Sequence, residues 1–91
     1  MDSPRRVVVT GLGAVTPLGN TVEEFWTSVA AGRNGVGPIT LFDASALPTR
    51  FAAEVRDFDP AALIGKKDAR KMDRFAQFAV VAAKQALEDS G

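Results

Sequence analysis

The first distinct hydrophobic pattern is an unbroken apolar run near the start of the chain. Residues 7–9 are three consecutive valines, and Gly11 and Gly13 end the run. A strand that is covered on both faces shows a continuous apolar run instead of an alternation of polar and apolar positions. The pattern therefore predicts a buried strand over residues 5–12, as in the centre of an α/β sheet, and a loop over residues 14–20.

A helix is predicted after this loop, from Val22 to about Ala31. Thr21 and Glu24 have the spacing of a capping box, in which the Thr hydroxyl accepts the third helical N–H and the Glu carboxylate accepts the Thr N–H. Gly32 is a typical helix terminator. The side chains expected to be buried on this helix are Val22, Phe25, Trp26 and Val29.

The middle of the chain shows weaker patterns. Residues 32–50 are rich in turn-forming residues and are predicted to be mainly loop. A weak strand is predicted over residues 51–55. Asp59 is suited to cap a helix that has Pro60 at its first position, and Gly65 interrupts this short helix.

The last predicted helix has an unusually wide apolar surface. Residues 68–89 contain no Gly or Pro, and Ser90 and Gly91 supply a stop. On a helical wheel of residues 72–88 the polar side chains occupy an arc of ~120°, which leaves ~240° to mostly apolar ones, whereas a surface helix has an apolar stripe of little more than ~100°. Such a helix packs on two sides, and the other predicted elements are too few to cover both of them. We therefore expect the chain to be part of a larger fold. The polar arc contains Asp73, Arg74, Gln77, Lys84, Gln85 and Glu88.

Composition excludes several classes of function. The 91 residues include eleven basic and eleven acidic side chains, no Cys and no His. A disulfide framework, a thiolate or imidazole metal site, and Cys or His catalysis are therefore excluded within this chain. No apolar run approaches ~18 residues, and no signal-peptide core follows the start. We expect a cytoplasmic protein with no membrane or nucleic-acid partner and no metal.

Two patterns that often carry chemistry are incomplete in this chain. Gly11 and Gly13 follow the predicted strand as in a dinucleotide-binding unit, but the third glycine of that fingerprint is replaced by Thr16. No nucleotide or other cofactor is therefore expected, and the glycines are interpreted as a tight structural turn. The neighbouring carboxylates lack an adjacent base or ligand set and are interpreted as structural; they are Glu23, Glu24, Asp57, Asp59, Glu88 and Asp89.

The strongest local charge lies in residues 66–74, which hold five of the eleven basic side chains and two acids. On a continuous helix, Lys67, Arg70, Lys71 and Arg74 have the spacing i, i+3, i+4 and i+7 and share one face. This face could bind an anionic partner, such as an acidic carrier protein or the phosphate of an RNA or a lipid. It could also be a solvated helix start. No aromatic side chains are interspersed as in a nucleic-acid stacking platform.

Seven blocks of this sequence, in order and spacing, closely resemble the N-terminus of the type II β-ketoacyl-acyl-carrier-protein synthases. The longest block runs from Arg5 through Val7-Val8-Val9-Thr10-Gly11-Leu12-Gly13 to Asn20. Together the blocks cover nearly the whole chain from Arg5. The others are residues 25–26, 31–35, 42–45, 57–60, 67–75 and 83–91.

The resemblance implies an α/β fold, namely the N-terminal part of a thiolase-like layered αβαβα fold with a central strand and packed helices. Residues 1–91 would form an incomplete N-terminal segment of the synthase N-terminal domain. It also implies an acyltransferase that elongates acyl chains in fatty-acid biosynthesis, by decarboxylative Claisen condensation of an acyl group on an active-site Cys with malonyl-acyl-carrier protein. Two His residues assist that reaction. Because this chain has neither residue type, it is expected to be inactive alone.

The resemblance also implies the partners. The basic residues Lys67, Arg70 and Lys71 match the family's docking surface for acyl carrier protein, and Arg74 is added on geometry alone. The parent enzyme is expected to be a homodimer. No catalytic residue is carried over to this chain.

Two alternatives stay open from the sequence. Phe78 stands where many type II synthases carry Tyr, and aromatic polyketide ketosynthases and their chain-length factors share that region. The other alternative is a free-standing, non-catalytic module that docks a carrier protein through residues 66–74. Neither the acyl chain length nor the choice between fatty-acid and polyketide pathways follows from these residues.

Overall fold

The computed structural model describes residues 4–91, which form four helices and one two-stranded antiparallel sheet. In the sheet, Val36 pairs with Ala53 and Pro38 with Phe51. These elements are those of an α/β fold. In chain order they are α1 (Val22–Ala30), β1 (Val36–Pro38), β2 (Phe51–Ala53), α2 (Pro60–Ile64), α3 (Lys66–Ala69) and α4 (Arg74–Ser90).

The strand predicted over residues 5–12 does not form within residues 4–91. Val7, Val8 and Val9 are 92%, 65% and 80% exposed, and their segment belongs to no ladder. A strand needs a neighbouring strand to satisfy its backbone N–H and C=O groups. In the part of the chain that the structure describes, β1 and β2 pair only with each other, so the valine run has no strand to join.

The end of this segment lies along α4 instead. The Leu12 N–H donates to Asp89 Oδ2 at 3.0 Å, and the Ala14 N–H donates to Gln85 Oε1 at 2.9 Å. A Cβ atom on Gly11 or Gly13 would collide with the α4 backbone. The tight turn expected at these glycines is therefore wrong: their lack of a side chain allows close approach to a helix.

Helix α1 begins as its capping residues predict, with one difference. The Glu24 N–H donates to Thr21 Oγ1 at 3.1 Å, but Glu24 Oε1 accepts the N–H of Asn20, at 2.9 Å, instead of that of Thr21. The prediction that Trp26 and Val29 are buried is wrong, because nothing in residues 4–91 covers them and they are 66% and 40% exposed.

The short helix α2 has the predicted cap. Asp59 Oδ1 accepts the N–H of Ala62 at 3.3 Å, and Pro60 occupies the first turn. Gly65 follows with φ 106°, a backbone angle that other residues adopt only under strain. This angle separates α2 from α3, as the sequence indicated.

The predicted continuous helix over residues 68–89 is wrong, because α3 ends at Ala69 and α4 begins at Arg74. Asp73 has extended backbone angles, φ −69° and ψ 162°, and is the N-cap of α4. Its carbonyl accepts the N–H of Gln77 at 3.0 Å. The Asp73 side chain makes no capping hydrogen bond among the described residues. The break instead agrees with the low preference of Asp for the interior of a helix.

The described chain is loosely packed for its length. Its radius of gyration is 17.0 Å, whereas a compact 91-residue domain has about 12 Å. Its buried apolar side chains are Ala44, Ala69 and Val81. Helix α4 buries Val81 on one side and leaves Phe75 and Leu87 about three-quarters exposed. The expectation that the chain cannot cover both sides of this helix is confirmed for residues 4–91.

No helix within residues 4–91 is both long enough and apolar enough to cross a membrane.

Candidate functional site

The three predicted docking residues lie on one exposed turn that connects α2 to α4. Lys67 is in α3, Arg70 is its C-cap, and Lys71 is in the turn that follows. Arg70 retains helical backbone angles, φ −64° and ψ −22°, so the spacing i, i+3, i+4 still places the three side chains on neighbouring positions. We refer to residues 66–71 as the basic turn.

The basic turn is attached to the molecule through Ala69. This side chain is 7% exposed, whereas Lys67, Arg70 and Lys71 are all exposed. At the helical rotation of ~100° per residue, the three basic side chains lie ~100–200° around the axis from Ala69. The turn therefore has an apolar inner side and a cationic outer side.

The charge of this turn is locally unbalanced. Residues 66–71 contain four basic side chains and one acid, Asp68, a net of 4 − 1 = +3, although the whole chain is neutral. Exposed charges of this kind attract an oppositely charged surface over roughly one Debye length, ~8 Å at physiological salt. The arrangement is suited to docking an acidic partner.

Arg74 does not belong to this surface, so its inclusion on geometric grounds is wrong. Its guanidinium lies 5.6 Å and 5.0 Å from the ring centroids of Phe58 and Phe78, and Nη2 donates to the Val55 carbonyl at 3.3 Å. The two rings meet edge to face at 5.0 Å. Because the helix breaks between Ala69 and Arg74, this side chain turns toward the loop before α2 and contributes cation–π contacts there.

Gln77 contacts the basic turn from α4, which the sequence did not indicate. Its Nε2 donates to the carbonyls of Ala69 and Met72, at 3.0 and 3.4 Å. The helical wheel placed Gln77 in the polar, solvent-facing arc, but the side chain is half-buried. The only sign of this contact in the sequence is that Gln77 lies between the apolar residues Ala76 and Phe78.

Gln85 is a second half-buried amide of α4 that the wheel placed toward solvent. Its Oε1 accepts the N–H of Ala14, and its Nε2 donates to the Asn20 carbonyl at 2.6 Å. The amide therefore connects the glycine segment to the start of α1. Both glutamines of α4 thus bind backbone groups of segments outside the helix.

Glu54 is a buried carboxylate that accepts several hydrogen bonds, and no pattern in the sequence indicated it. It is 8% exposed, and its oxygens accept the Thr40 hydroxyl at 2.8 Å and the N–H groups of Thr40 and Leu41 at 3.1–3.2 Å. The Thr40 hydroxyl is the main cause that lowers the pKa of Glu54; the two N–H groups and Arg56 add to this effect, and burial opposes it. The group holds the loop after β1 against β2.

Other carboxylates also bind backbone N–H groups, which supports their structural interpretation. Asp43 accepts the Ser45 N–H at 3.0 Å, and this bond, with the Ser45 hydroxyl, lowers the pKa of Asp43. Glu24, Asp59 and Asp89 each accept one N–H as described above. Among residues 4–91, no three carboxylates are grouped closely enough to hold a metal ion.

A polar cleft of about 510 Å³ lies between the turn over residues 16–19 and the segment that contains Arg56 and Asp57. Asn20 lines it: Nδ2 donates to the Arg56 carbonyl at 2.7 Å, and Oδ1 is buried with no hydrogen-bond partner among residues 4–91. The cleft contains no nucleophile with an adjacent base. It therefore has no arrangement for the catalytic chemistry considered above.

Comparison with known families matches residues 4–91 to the β-ketoacyl synthase N-terminal domain. The chain belongs to this family, and the resemblance seen in the sequence is confirmed. It is 61% identical over 87 residues to 3-oxoacyl-[acyl-carrier-protein] synthase 2 of Coxiella burnetii, with 96% of this chain and 21% of that protein covered. It is 55% identical over 86 residues to the same enzyme of Synechocystis sp., with 94% and 21% covered.

A solved structure supports the same relationship. The ishigamide ketosynthase/chain length factor superimposes with a TM-score of 0.83 at 40% sequence identity, covering 98% of this chain and 22% of that chain. The chain thus spans about a fifth of the length of the proteins that it matches. The relationship to this ketosynthase/chain length factor agrees with the α/β elements described above.

Proposed function

We propose that this chain is the N-terminal segment of a type II β-ketoacyl-acyl-carrier-protein synthase, a condensing enzyme that elongates acyl chains in fatty-acid biosynthesis. The observation that carries the proposal is the match of nearly the whole chain to relatives named 3-oxoacyl-[acyl-carrier-protein] synthase 2, at 61% and 55% identity. The basic turn supports it, because such an enzyme must bind an acidic carrier protein.

The segment is an incomplete piece of a thiolase-like αβαβα domain. Two features support this. The valine run has no strand partner within residues 4–91, and α4 presents Phe75 and Leu87 to solvent. In the layered domain, the valine run joins a central sheet, and the exposed side of α4 is covered by polypeptide outside residues 1–91.

Catalysis belongs to the remainder of the enzyme. The nucleophilic Cys that holds the acyl thioester, and the two His residues, lie outside a chain that has neither residue type. Loss of CO₂ from the malonyl group leaves a carbanion equivalent, which forms the new C–C bond at the thioester carbonyl and releases the Cys thiolate. The parent enzyme acts as a homodimer, and residues 1–91 alone are inactive.

The role of this segment is to dock the carrier protein through Lys67, Arg70 and Lys71. The three cations are exposed on one turn with a local charge of +3. Surface charges arranged in this way mainly increase the rate of encounter and orient the partner. Docking delivers the acyl or malonyl thioester to the catalytic part of the enzyme.

The docking role is tested in the full-length synthase that carries this segment. Changing all three residues to Glu is expected to weaken apparent affinity for malonyl-acyl-carrier protein at low salt at least about tenfold. Turnover of carrier-free acyl and malonyl thioesters should not change. The matched control is the charge-preserving triple variant Lys67→Arg, Arg70→Lys, Lys71→Arg, which should retain binding. Unchanged affinity in the Glu variant would remove the docking role.

A second candidate is a polyketide ketosynthase or chain-length factor. The specific observation in its favour is the superposition on the ishigamide ketosynthase/chain length factor at TM-score 0.83. The two candidates differ in whether the parent chain carries the nucleophilic Cys and in which acyl chains it accepts. Condensation assays of the parent with an acyl carrier protein that carries a saturated acyl chain separate them. A chain-length factor should not condense this substrate because it lacks the nucleophile, and a polyketide ketosynthase should accept it poorly.

A further inference from the structure

We propose that Gln77 positions the docking surface, because its amide holds the basic turn in the shape that presents Lys67, Arg70 and Lys71 together. This inference rests on the proposed docking function. Gln77 is a positioning residue and not a contact residue, since it binds the backbone beneath the basic side chains.

The amide group of Gln77 binds the backbone carbonyls on either side of Arg70 and Lys71. Nε2 donates to the Ala69 carbonyl at 3.0 Å and to the Met72 carbonyl at 3.4 Å. Ala69 directly precedes Arg70, and Met72 directly follows Lys71. One side-chain group therefore constrains the backbone on both sides of two docking residues.

The turn has little support of its own. Helix α3 has four residues, and helices this short are not stable without tertiary contacts. Beyond it, the Lys71 N–H donates to the Asp68 carbonyl at 3.1 Å and the Met72 N–H to the Ala69 carbonyl at 3.2 Å. These bonds span three residues, as in a single 3₁₀ turn, so the shape of this segment depends on contacts with α4.

Three other side-chain donors of α4 bind other segments instead of the basic turn. The half-buried Gln85 donates to the Asn20 carbonyl at 2.6 Å, and two exposed side chains bind in or near α2. Arg74 Nη2 donates to Val55 O at 3.3 Å, and Lys84 Nζ donates to Leu63 O at 3.4 Å. Both side chains are exposed, whereas Gln77 is half-buried. Gln77 is thus the α4 donor placed to control the carbonyls of residues 69 and 72.

The contact requires a hydrogen-bond donor, which guides the choice of variants. Gln77→Met keeps the approximate volume but has no donor. Gln77→Lys also keeps a long unbranched side chain and restores donors that can reach the two carbonyls. The pair therefore separates loss of the hydrogen bonds from a change of side-chain size.

The experiment uses the full-length synthase that carries this segment, with malonyl-acyl-carrier protein as the probe. Gln77→Met is expected to raise KM for this substrate about fivefold, while kcat and turnover of carrier-free thioesters stay unchanged. Amide hydrogen exchange should become faster at residues 70–72. Gln77→Lys should restore both KM and exchange to near the wild-type values.

Three outcomes overturn the inference. The first is a wild-type KM in Gln77→Met, and the second is an equal loss in Gln77→Met and Gln77→Lys. The third is a matching loss with carrier-free thioesters, which would indicate general damage. The triple Glu variant of the docking residues separates the two proposals. If it loses affinity while Gln77→Met does not, docking stands and only the role of Gln77 fails; if it keeps its affinity, both fail.

Discussion

At the scale of single residues, side chains that bind backbone groups distant in the sequence define much of this structure. Glu54 accepts donors from Thr40 and Leu41, fourteen and thirteen positions earlier, respectively. Gln85 connects to Ala14 and Asn20, from the other end of the chain. Such contacts leave no local periodicity or spacing in the sequence. The sequence therefore predicted the local cap of α1 but not the roles of Glu54, Gln77 and Gln85.

The Glu54 contacts predict a dependence of stability on pH. Because hydrogen bonds lower the pKa of Glu54 below its ordinary value, its ionised form stabilises the folded state. This stabilisation is complete above the ordinary pKa and is lost as the pH falls through the lower folded pKa. Glu54→Gln in the full-length protein should unfold at a lower denaturant midpoint than wild type at pH 7, and the difference should shrink below about pH 4.

The readout for this prediction is the midpoint of chemical denaturation at both pH values, with Glu23→Gln as the control. Glu23 is exposed on the first turn of α1, so its substitution should have a small effect. An equal difference between wild type and Glu54→Gln at pH 7 and well below pH 4 would contradict the assignment.

At the scale of elements, the sequence predicted helices better than strands. Helices α1 and α2 begin at residues whose side chains accept the N–H groups of the first turn, and this information is local. The valine run has strand character, but a strand also needs a partner, which its own residues do not specify. The break between α3 and α4 falls before Arg74, with Asp73 as the N-cap residue. The sequence did not predict it, because one Asp inside an uninterrupted helical pattern gives an ambiguous signal.

The contact between the glycine segment and α4 predicts intolerance of any side chain at Gly13. A Cβ atom there would lie against the Ala82 carbonyl and within 2.9 Å of the Gln85 Cβ. Backbone atoms cannot move aside as a flexible side chain can, so Gly13→Ala should destabilise the full-length protein by about 1–3 kcal/mol. Chemical denaturation measures this loss.

Gly37→Ala is the matched control for Gly13→Ala. The atom nearest to a Cβ at Gly37 is the Arg56 Nη2, at 3.4 Å, the end of a flexible side chain. This substitution should cost clearly less than Gly13→Ala. Equal losses at the two positions would show that close approach to α4 is not what requires glycine.

At the scale of the whole molecule, residues 4–91 expose more surface than a compact protein of this size. The chain has 7,216 Å² of accessible surface, whereas about 5,100 Å² is usual for a folded monomer of its mass. Much of the excess is apolar, including Val7, Val9, Trp26, Phe75 and Leu87. The wide apolar arc on α4 indicated this from the sequence, because its width exceeds what the predicted neighbours could cover.

This excess of exposed surface predicts the mass of the polypeptide in its native source. An antibody against residues 66–91 should detect, under denaturing conditions in the native source, one species several times heavier than the 9.6 kDa of this chain. A recombinant 91-residue chain provides the size standard. A species that migrates with this standard would contradict the synthase assignment and leave the free-standing docking module.

The alignment of the glycine segment with α4 also constrains how this part of the chain can evolve. Gly11 and Gly13 are two positions apart in an extended segment. The side chains that accept the N–H groups following them, Asp89 and Gln85, are four positions apart on α4. Two residues of the extended segment therefore match about one turn of the helix. Adding or deleting one residue between Gly13 and the turn at Thr16 would shift the extended segment by one position along α4. Leu12 or Ala14, which carry side chains, would then lie against the helix backbone where a glycine lies now. Natural relatives should therefore vary here by substitution at constant length, and insertions should accumulate in the loop over residues 40–50.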